Sequence, residues 1–330
     1  MVRENIQGVL RLKIAFFSEM GNNQRYPRDF PNARTEVAWC LALDAPMCAL
    51  DVLPKEHFDL GIIIIPKNNP KVNLDFIRKC CDKVAIMQEG PHWYFQDYTI
   101  DKQFHFYNTL LNADSIYCHN ESDVNYYKGL GCKDVRVMRS LMITNGLVSR
   151  KNILMDMYGD LPSPTSYKEP TTIIGGNMVS WYGGFDSYMI AREIGDSIVA
   201  PSMGRKQELE SQIEDIQYLP YMSWRDWISN LSQFNIGIHL MRTHAAGTFA
   251  MNCGFHGIPC IGYKGLDTQQ ILYPNTTVEV GNLSKAKDIA LRLKNDEEFY
   301  SAVSEEALYR FNEYYTEEKW LENWEKQWIK

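Results

Sequence analysis

The sequence predicts an α/β protein of two Rossmann-like domains facing one another across a cleft, and three observations carry that prediction. The chain has 330 residues, more than one hydrophobic core usually organises, so two domains of about 150 residues each are expected. Short apolar runs alternate with amphipathic stretches from end to end, the pattern of parallel sheets with helical crossovers. Between Asn145 and Pro170 the alternation lapses, and Pro162, Pro164 and Pro170 gather there as in a linker. The expected division is a first domain over 1–150, a linker over 151–170, a second domain over 171–310, and a terminal helix over 311–330 that crosses back to the first domain or lies on the surface.

The first domain reads as strands at 12–17, 60–65, 83–87, 115–118 and 135–138, with helices at 35–43, 74–79, around 104–111 and at 122–130 between them. The apolar run Leu60–Pro66 contains four consecutive isoleucines. It suits a strand covered on both faces and is far short of the roughly 20 residues that span a bilayer. In the second domain, strands are expected at 171–174, 197–200, 216–219, 236–240, from Pro259 onward and at 277–280. Helices are expected near 187–193, at 206–213, at 224–233 and from Thr248 to Gly257. Ser223 is placed to cap the 224–233 helix, since its hydroxyl accepts from an early helical N–H. The end, 284–330, is rich in Glu, Tyr and Trp and reads as helical, with Trp320, Trp324 and Trp328 at four-residue spacing.

Composition excludes several classes. Hydrophobic residues at 45% and charged residues at 23% are ordinary globular values. A net charge of −7 and a pI near 5.6 argue against a protein that coats nucleic acid non-specifically. The eight cysteines include no C-x-x-C pair, so buried reduced thiols are expected rather than bridges or a zinc knot. The N-terminus lacks an uninterrupted apolar stretch with a cleavage site. A cytoplasmic protein is expected, in the host cytoplasm if the source is viral, with no membrane span.

The stretch 236–262, IGIHLMRTHAAGTFAMNCGFHGIPCIG, is the most informative. A buried strand runs into a polar loop, the loop opens a helix at Thr248, the helix ends at Gly257, and Pro259 begins another strand. A helix that starts just beyond a parallel strand aims its free N–H groups at the crevice where phosphates bind. Gly175 and Gly176, followed by Asn177, form a second such turn, where glycine lets backbone amides approach an anion. Arg205 and Arg242 are the cations expected to face a diphosphate, because a guanidinium matches phosphate oxygens with paired hydrogen bonds. In the first domain, Glu89 and His92 follow a buried strand, at the end where ligands of open α/β sheets collect. The insert 24–35 carries Arg25, Arg28 and Arg34 with Tyr26 and Phe30, groups able to hold phosphates or stack on a base or sugar.

The order strand, small polar loop, helix, G-x-P, strand resembles the nucleotide-sugar half of GT-B glycosyltransferases, with Gly247, Gly257 and Pro259 matching its intervals. His244 and Asn252 stand where that family often has Glu, the second of which commonly holds the ribose hydroxyls. By position, Tyr218–Ser223 resembles the stretch that contacts the donor base through backbone groups, which places Tyr221 at the donor. The opening Lys13-Ile14-Ala15 running into Met20-Gly21-Asn22-Asn23 is similar to bacteriophage DNA β-glucosyltransferases. In those enzymes an acidic residue after a later first-domain strand is the base, a place held here by Glu89. An aspartate-threonine pair like Asp267-Thr268 also occurs there. The chain departs from them at Asn252 and in its phosphate loop.

The resemblance implies transfer of a sugar from a nucleotide-diphosphate sugar to a hydroxyl. The donor would be held by Gly175, Gly176, Asn177, Arg205, Tyr221, Arg242, His244, Gly247, Thr248 and Asn252. Glu89 or His92 would take the acceptor proton, and Asn22, Arg25, Arg28, Arg34 and Trp93 would face the acceptor. That acceptor is expected to be 5-hydroxymethylcytosine in duplex DNA, with a glycan or small hydroxylated molecule as the alternative. A nucleotide-sugar 2-epimerase and a non-catalytic nucleotide-sugar binder are the competing classes. No D-x-D triplet occurs, and His239 and His244 have no third ligand near in sequence, so no metal and no cofactor beyond the sugar nucleotide are expected.

Overall fold

A computed structural model describes residues 12–66, 72–88, 90–150, 152, 170–176, 178–195, 197–201 and 210–327. Runs of aliphatic residues without a polar face become central strands covered on both sides. The first sheet comprises β1 (Ile14–Ser18), β2 (Met47–Ala49), β3 (Phe58–Ile65), β4 (Cys81–Gln88), β5 (Ser115–Cys118) and β6 (Val135–Val137). Its spatial order is β2-β1-β3-β4-β5-β6, and every neighbouring pair is parallel. In β3 every residue but Asp59 is buried, as its isoleucine run requires. The three-residue edge strand β2 was not expected from the sequence, because so short a run has no readable period.

The second sheet comprises β7 (Thr172–Ile174), β8 (Ile198–Ala200), β9 (Ile216–Tyr218), β10 (Ile236–His239), β11 (Cys260–Tyr263) and β12 (Thr277–Val278). It is again all parallel, in the order β12-β11-β10-β7-β8-β9. The chain builds outward from β7 to β9, then returns to the other side of β7 with β10. Between β7 and β10 the helical crossovers leave in opposite directions, and such a switch point opens a crevice at the strands' C-terminal ends. Gly175 and Gly176 follow β7 at that crevice, and the loop leading to the helix Thr248–His256 follows β10.

Ser223 caps the helix Trp224–Leu231 as anticipated, accepting from the Asp226 N–H. The helix expected at 206–213 lies partly outside the described residues, and Glu210–Gln212 forms a 3-10 turn. The C-terminal stretch is three helices, Leu283–Asn295, Glu297–Tyr314 and Glu317–Lys326. Asp296 and Thr316 interrupt it by accepting from the N–H groups of Phe299 and Lys319, local caps that restart the helix each time.

The last helix lies against first-domain residues. Trp324 packs at a tilt against Tyr117 of β5 with ring centroids 5.5 Å apart, and Trp320 donates its indole N–H to the Arg139 carbonyl at 2.7 Å. Trp39 donates to the same carbonyl at 3.0 Å. These side chains belong to one buried cluster that runs continuously from the first sheet into the second. A separate cluster covers the other face of the first sheet. All eight cysteines are buried and unbridged. Among the described residues, no helix is long and apolar enough to cross a membrane.

Candidate active site

The helix Thr248–His256 begins at Gly247, whose φ of 63° suits glycine, and ends at Gly257 with φ 65°, a left-handed C-cap. A β-carbon on Gly247 would run into the Thr268 hydroxyl, and that hydroxyl donates to the Gly247 carbonyl at 2.9 Å. Chain direction and close packing both therefore demand glycine. The first-turn N–H groups of such a helix have no partner within it and carry partial positive charge.

A cavity of about 310 Å³ opens between the sheets at this point. From the second domain it is lined by Gly176, the segment Leu219–Met222, His239, the segment Ala245–Thr248, and Asn252. From the first it is lined by Arg34, Thr35 and Gly90. The volume is at the lower end of the range for small-molecule sites, which run from about 300 to 1,000 Å³. Thr35, just before the helix Glu36–Leu43, has φ 44°, a left-handed value that a β-branched residue adopts only under constraint.

His239 closes the floor of the cavity. It is buried, and burial alone lowers its pKa to about 4, so the ring is neutral. Its Nε2 has no hydrogen-bond partner. A β-carbon on Gly175 would lie 2.6 Å from the His239 ring, so the glycine is what allows the imidazole its place. Asn252, with its amide turned to satisfy both neighbours, donates to the Thr248 carbonyl at 3.1 Å and accepts from the Trp227 indole at 3.2 Å.

The loop preceding the helix is held from the first domain by a seam of polar contacts. Asn120 donates to the Ala245 carbonyl at 3.1 Å and accepts from the Asp267 N–H at 2.9 Å. Ser140 donates to the Ala246 carbonyl at 2.8 Å. Asp267 accepts from the Glu121 N–H at 3.1 Å and pairs with Arg139 at 2.8 Å. Asp123, buried in the first turn of the helix Glu121–Gly129, lies 2.8 Å from His244 Nδ1 and 3.7 Å from His92 Nδ1. Burial opposes ionisation of Asp123, but the imidazoles of His244 and His92 together with Asn120 outweigh it and hold the carboxyl well below the usual range. The same bond from Asp123 raises the His244 pKa against the effect of burial.

Of the residues singled out in the sequence, Gly176, Tyr221, Gly247, Thr248, Asn252 and Arg34 meet around one cavity. Gly175 supports it through His239. Tyr221 lines the cavity and is 69% exposed. Glu89, Asn177 and Arg205 lie outside the described residues, as does most of the linker. Gln88, at the end of β4, donates to the Pro91 carbonyl and accepts from Tyr127.

The remaining candidates stand away from the cavity wall. Arg242 pairs with Asp186 at 2.7 Å, and His244 faces Asp123. Arg28 forms a forked pair with Glu317 of the last helix, and Arg25 reaches Glu56 and the Asp44 carbonyl. Asn22 is exposed near Gln24, and Trp93 is exposed beyond His92. Sequence reasoning missed Asn120, Asp123 and Arg139. Asp123 carried the same signal that marked Glu89, a carboxylate just past a buried strand.

No protein-family model matches the chain, and nothing matches it among curated protein sequences. Solved structures do. Sucrose-phosphate synthase from Thermosynechococcus elongatus superposes with a TM-score of 0.65 at 9% identity, over 96% of this chain and 98% of that one. HepE from Anabaena, solved with UDP-glucose, superposes with a TM-score of 0.63 at 9% identity, over 96% and 99%. TarM gives 0.58 at 11% identity over 82% of this chain, which spans 55% of TarM's length. Two parallel six-stranded sheets, a cleft between them and these neighbours together establish that the chain has the GT-B fold of glycosyltransferases.

Proposed function

We propose that this protein transfers a sugar from a nucleotide-diphosphate sugar to an acceptor hydroxyl. The observation that carries the reading is the interdomain cavity at the N-terminus of the helix Thr248–His256, walled by Gly176 and the segment 219–222. In the proposed reaction the acceptor oxygen forms a bond to the anomeric carbon as the bond from that carbon to the diphosphate breaks. Negative charge develops on the leaving diphosphate, and helix N–H groups aimed at it stabilise the transition state more than the ground state. The acceptor proton goes to a carboxylate, assigned to Glu89 because the adjoining Gly90 lines the cavity from the first domain. Direct displacement of this kind inverts the anomeric centre. The sugar nucleotide is a co-substrate, and no cofactor is assigned to the reaction.

HepE was solved with UDP-glucose, which makes uridine nucleotides the first donors to test. With Arg28 and Arg25 occupied by Glu317 and Glu56, Arg34 is the arginine of the insert left at the cavity. One cation at the cavity among the described residues suits a glycan or small hydroxylated acceptor better than a DNA backbone, whose binding draws on several phosphate contacts. A hydroxymethylated pyrimidine in DNA is the second reading, supported by the similarity of the β1 segment and Met20–Asn23 to the phage enzymes.

The test is incubation with radiolabelled UDP- and GDP-sugars, offering oligosaccharides or duplex DNA containing 5-hydroxymethylcytosine. Label on either acceptor, lost in Glu89→Gln, supports transfer and selects between the two readings. Sugar isomerisation without acceptor would mean an epimerase. Nucleotide binding without turnover on any acceptor would mean a binder.

A further inference from the structure

We infer that His92, Asp123 and His244 form a binding site for one divalent transition metal of the zinc class, bridging the two domains. Among the described residues this is the only place where three potential ligands gather, their donor atoms all within 4.8 Å of one another. They come from three separate segments. His92 opens the 3-10 turn after β4, Asp123 lies in the helix after β5, and His244 lies in the second-domain loop that leads to the cavity.

The spacing fits such an ion. Metal–ligand bonds of about 2.0–2.1 Å in a tetrahedron put the ligand atoms about 3.3 Å apart. Asp123 Oδ1 is 2.8 Å from His244 Nδ1 and 3.7 Å from His92 Nδ1, values that bracket that edge. Ser122 Oγ stands 3.3 Å from His244 Nδ1 and donates to the Gly265 carbonyl, and a water would supply the fourth ligand. Two imidazole nitrogens with one carboxylate oxygen select zinc-like ions over magnesium or calcium.

A simple ion pair does not account for the arrangement. His244 and Asp123 satisfy one another, yet His92 Nδ1 is buried with no hydrogen-bond partner. Its 3.7 Å approach to the carboxylate is too long for a hydrogen bond. Stacking on Tyr126, with centroids 4.1 Å apart, holds that ring toward Asp123. Gly265, at φ 119°, leaves the space that the His244 ring fills, and a β-carbon there would strike Nε2. A shared cation gives the orphaned nitrogen a partner and turns three converging side chains into a clamp beside the cavity. The clamp is structural, separate from the transfer chemistry proposed above.

The test uses the full-length protein stripped with a chelator, titrated with Co²⁺ by visible absorption and with Zn²⁺ against a chromophoric chelator. The expected result is one ion per chain with a tetrahedral Co²⁺ spectrum. His92→Ala and His244→Ala should each weaken binding by at least the roughly 10–100-fold that loss of even an outer-sphere partner costs, with far-UV circular dichroism unchanged. His92→Gln, which keeps more of the ring's volume, should repeat the loss. His57→Ala, which removes an exposed His–Asp pair of the same 2.8 Å length, should leave binding intact. Equal affinity in wild type and the His92 and His244 variants, or no tetrahedral spectrum in wild type, would overturn the site.

Discussion

The two rims of the cleft contribute different kinds of group. From the second domain the cavity is lined by the turns at Gly176 and Ala245–Thr248 and by the 219–222 segment, whereas the first domain lines it with Arg34, Thr35 and Gly90. Backbone amides at a helix N-terminus form a fixed electrostatic surface, which needs glycine for access and a rigid mount behind it. A reactive side chain needs removal, not intrusion, to be silenced. Mutations should therefore act by opposite routes on the two rims.

The largest effect is expected on the first rim. Glu89→Gln should lower the transfer rate by about 10²–10⁴-fold, the usual worth of a general base, while UDP affinity measured by calorimetry stays within a few-fold of wild type. A parallel loss of nucleotide binding would erase the distinction between the rims. Next comes the mount of the second rim. Asp267→Ala leaves Arg139 without its 2.8 Å partner and removes the acceptor of the Glu121 N–H. Because Arg139 keeps Glu121 at 3.0 Å, it should cost about 1.5–3 kcal/mol, the worth of hydrogen bonds to a charged group, seen in urea unfolding. On the rim itself, Gly247→Ala puts a methyl into Thr268 at a left-handed φ. Strain of about 1–3 kcal/mol is expected, with UDP binding weakened by more than about tenfold, some 1.4 kcal/mol.

A smaller effect separates the buried histidines from the rest of the second domain. His239 and His256 both have pKa values lowered to about 4 by burial. His256 accepts from the Arg150 N–H and faces the Ile228 carbonyl at 2.8 Å, so Nε2 carries its proton. The unfolded chain binds protons at these rings near pH 6.5 and the folded one does not. Their contribution to stability is therefore complete above pH 6.5 and is lost as pH falls toward 4. Thermal melts of His239→Gln should fall less steeply across that window than wild type. The smallest effect is expected at Tyr221, which is 69% exposed and is proposed to meet the donor through its backbone groups. Tyr221→Ala should change UDP affinity less than about threefold, below 0.7 kcal/mol.

Much of the fold was legible because parallel strands buried on both faces leave long aliphatic signals, as in Phe58–Ile65, and because Gly247, Gly257 and Pro259 punctuate one crossover. The three-residue β2 and the caps at Asp296 and Thr316 were not, since they depend on local hydrogen bonds that periodicity does not record. At the candidate cavity, the turn glycines Gly176 and Gly247 named from the sequence do line the wall. Arg25, Arg28 and Arg242 do not, because an arginine's partner is decided by distant segments, although Arg34 does line the cavity. Glu317 claims Arg28 across 289 positions, and Asp186 claims Arg242 across 56. His244 faces Asp123 for the same reason, a pairing that spans 121 positions.

The central claim is that the turn before Thr248 grips a nucleotide diphosphate, and calorimetric titration of UDP and GDP into wild type and Gly247→Ala addresses it directly. Saturable binding of at least one diphosphate to wild type, weakened by more than about tenfold in the variant, is the predicted result. Absence of binding to the wild type, or equal affinity in the two proteins, would contradict it.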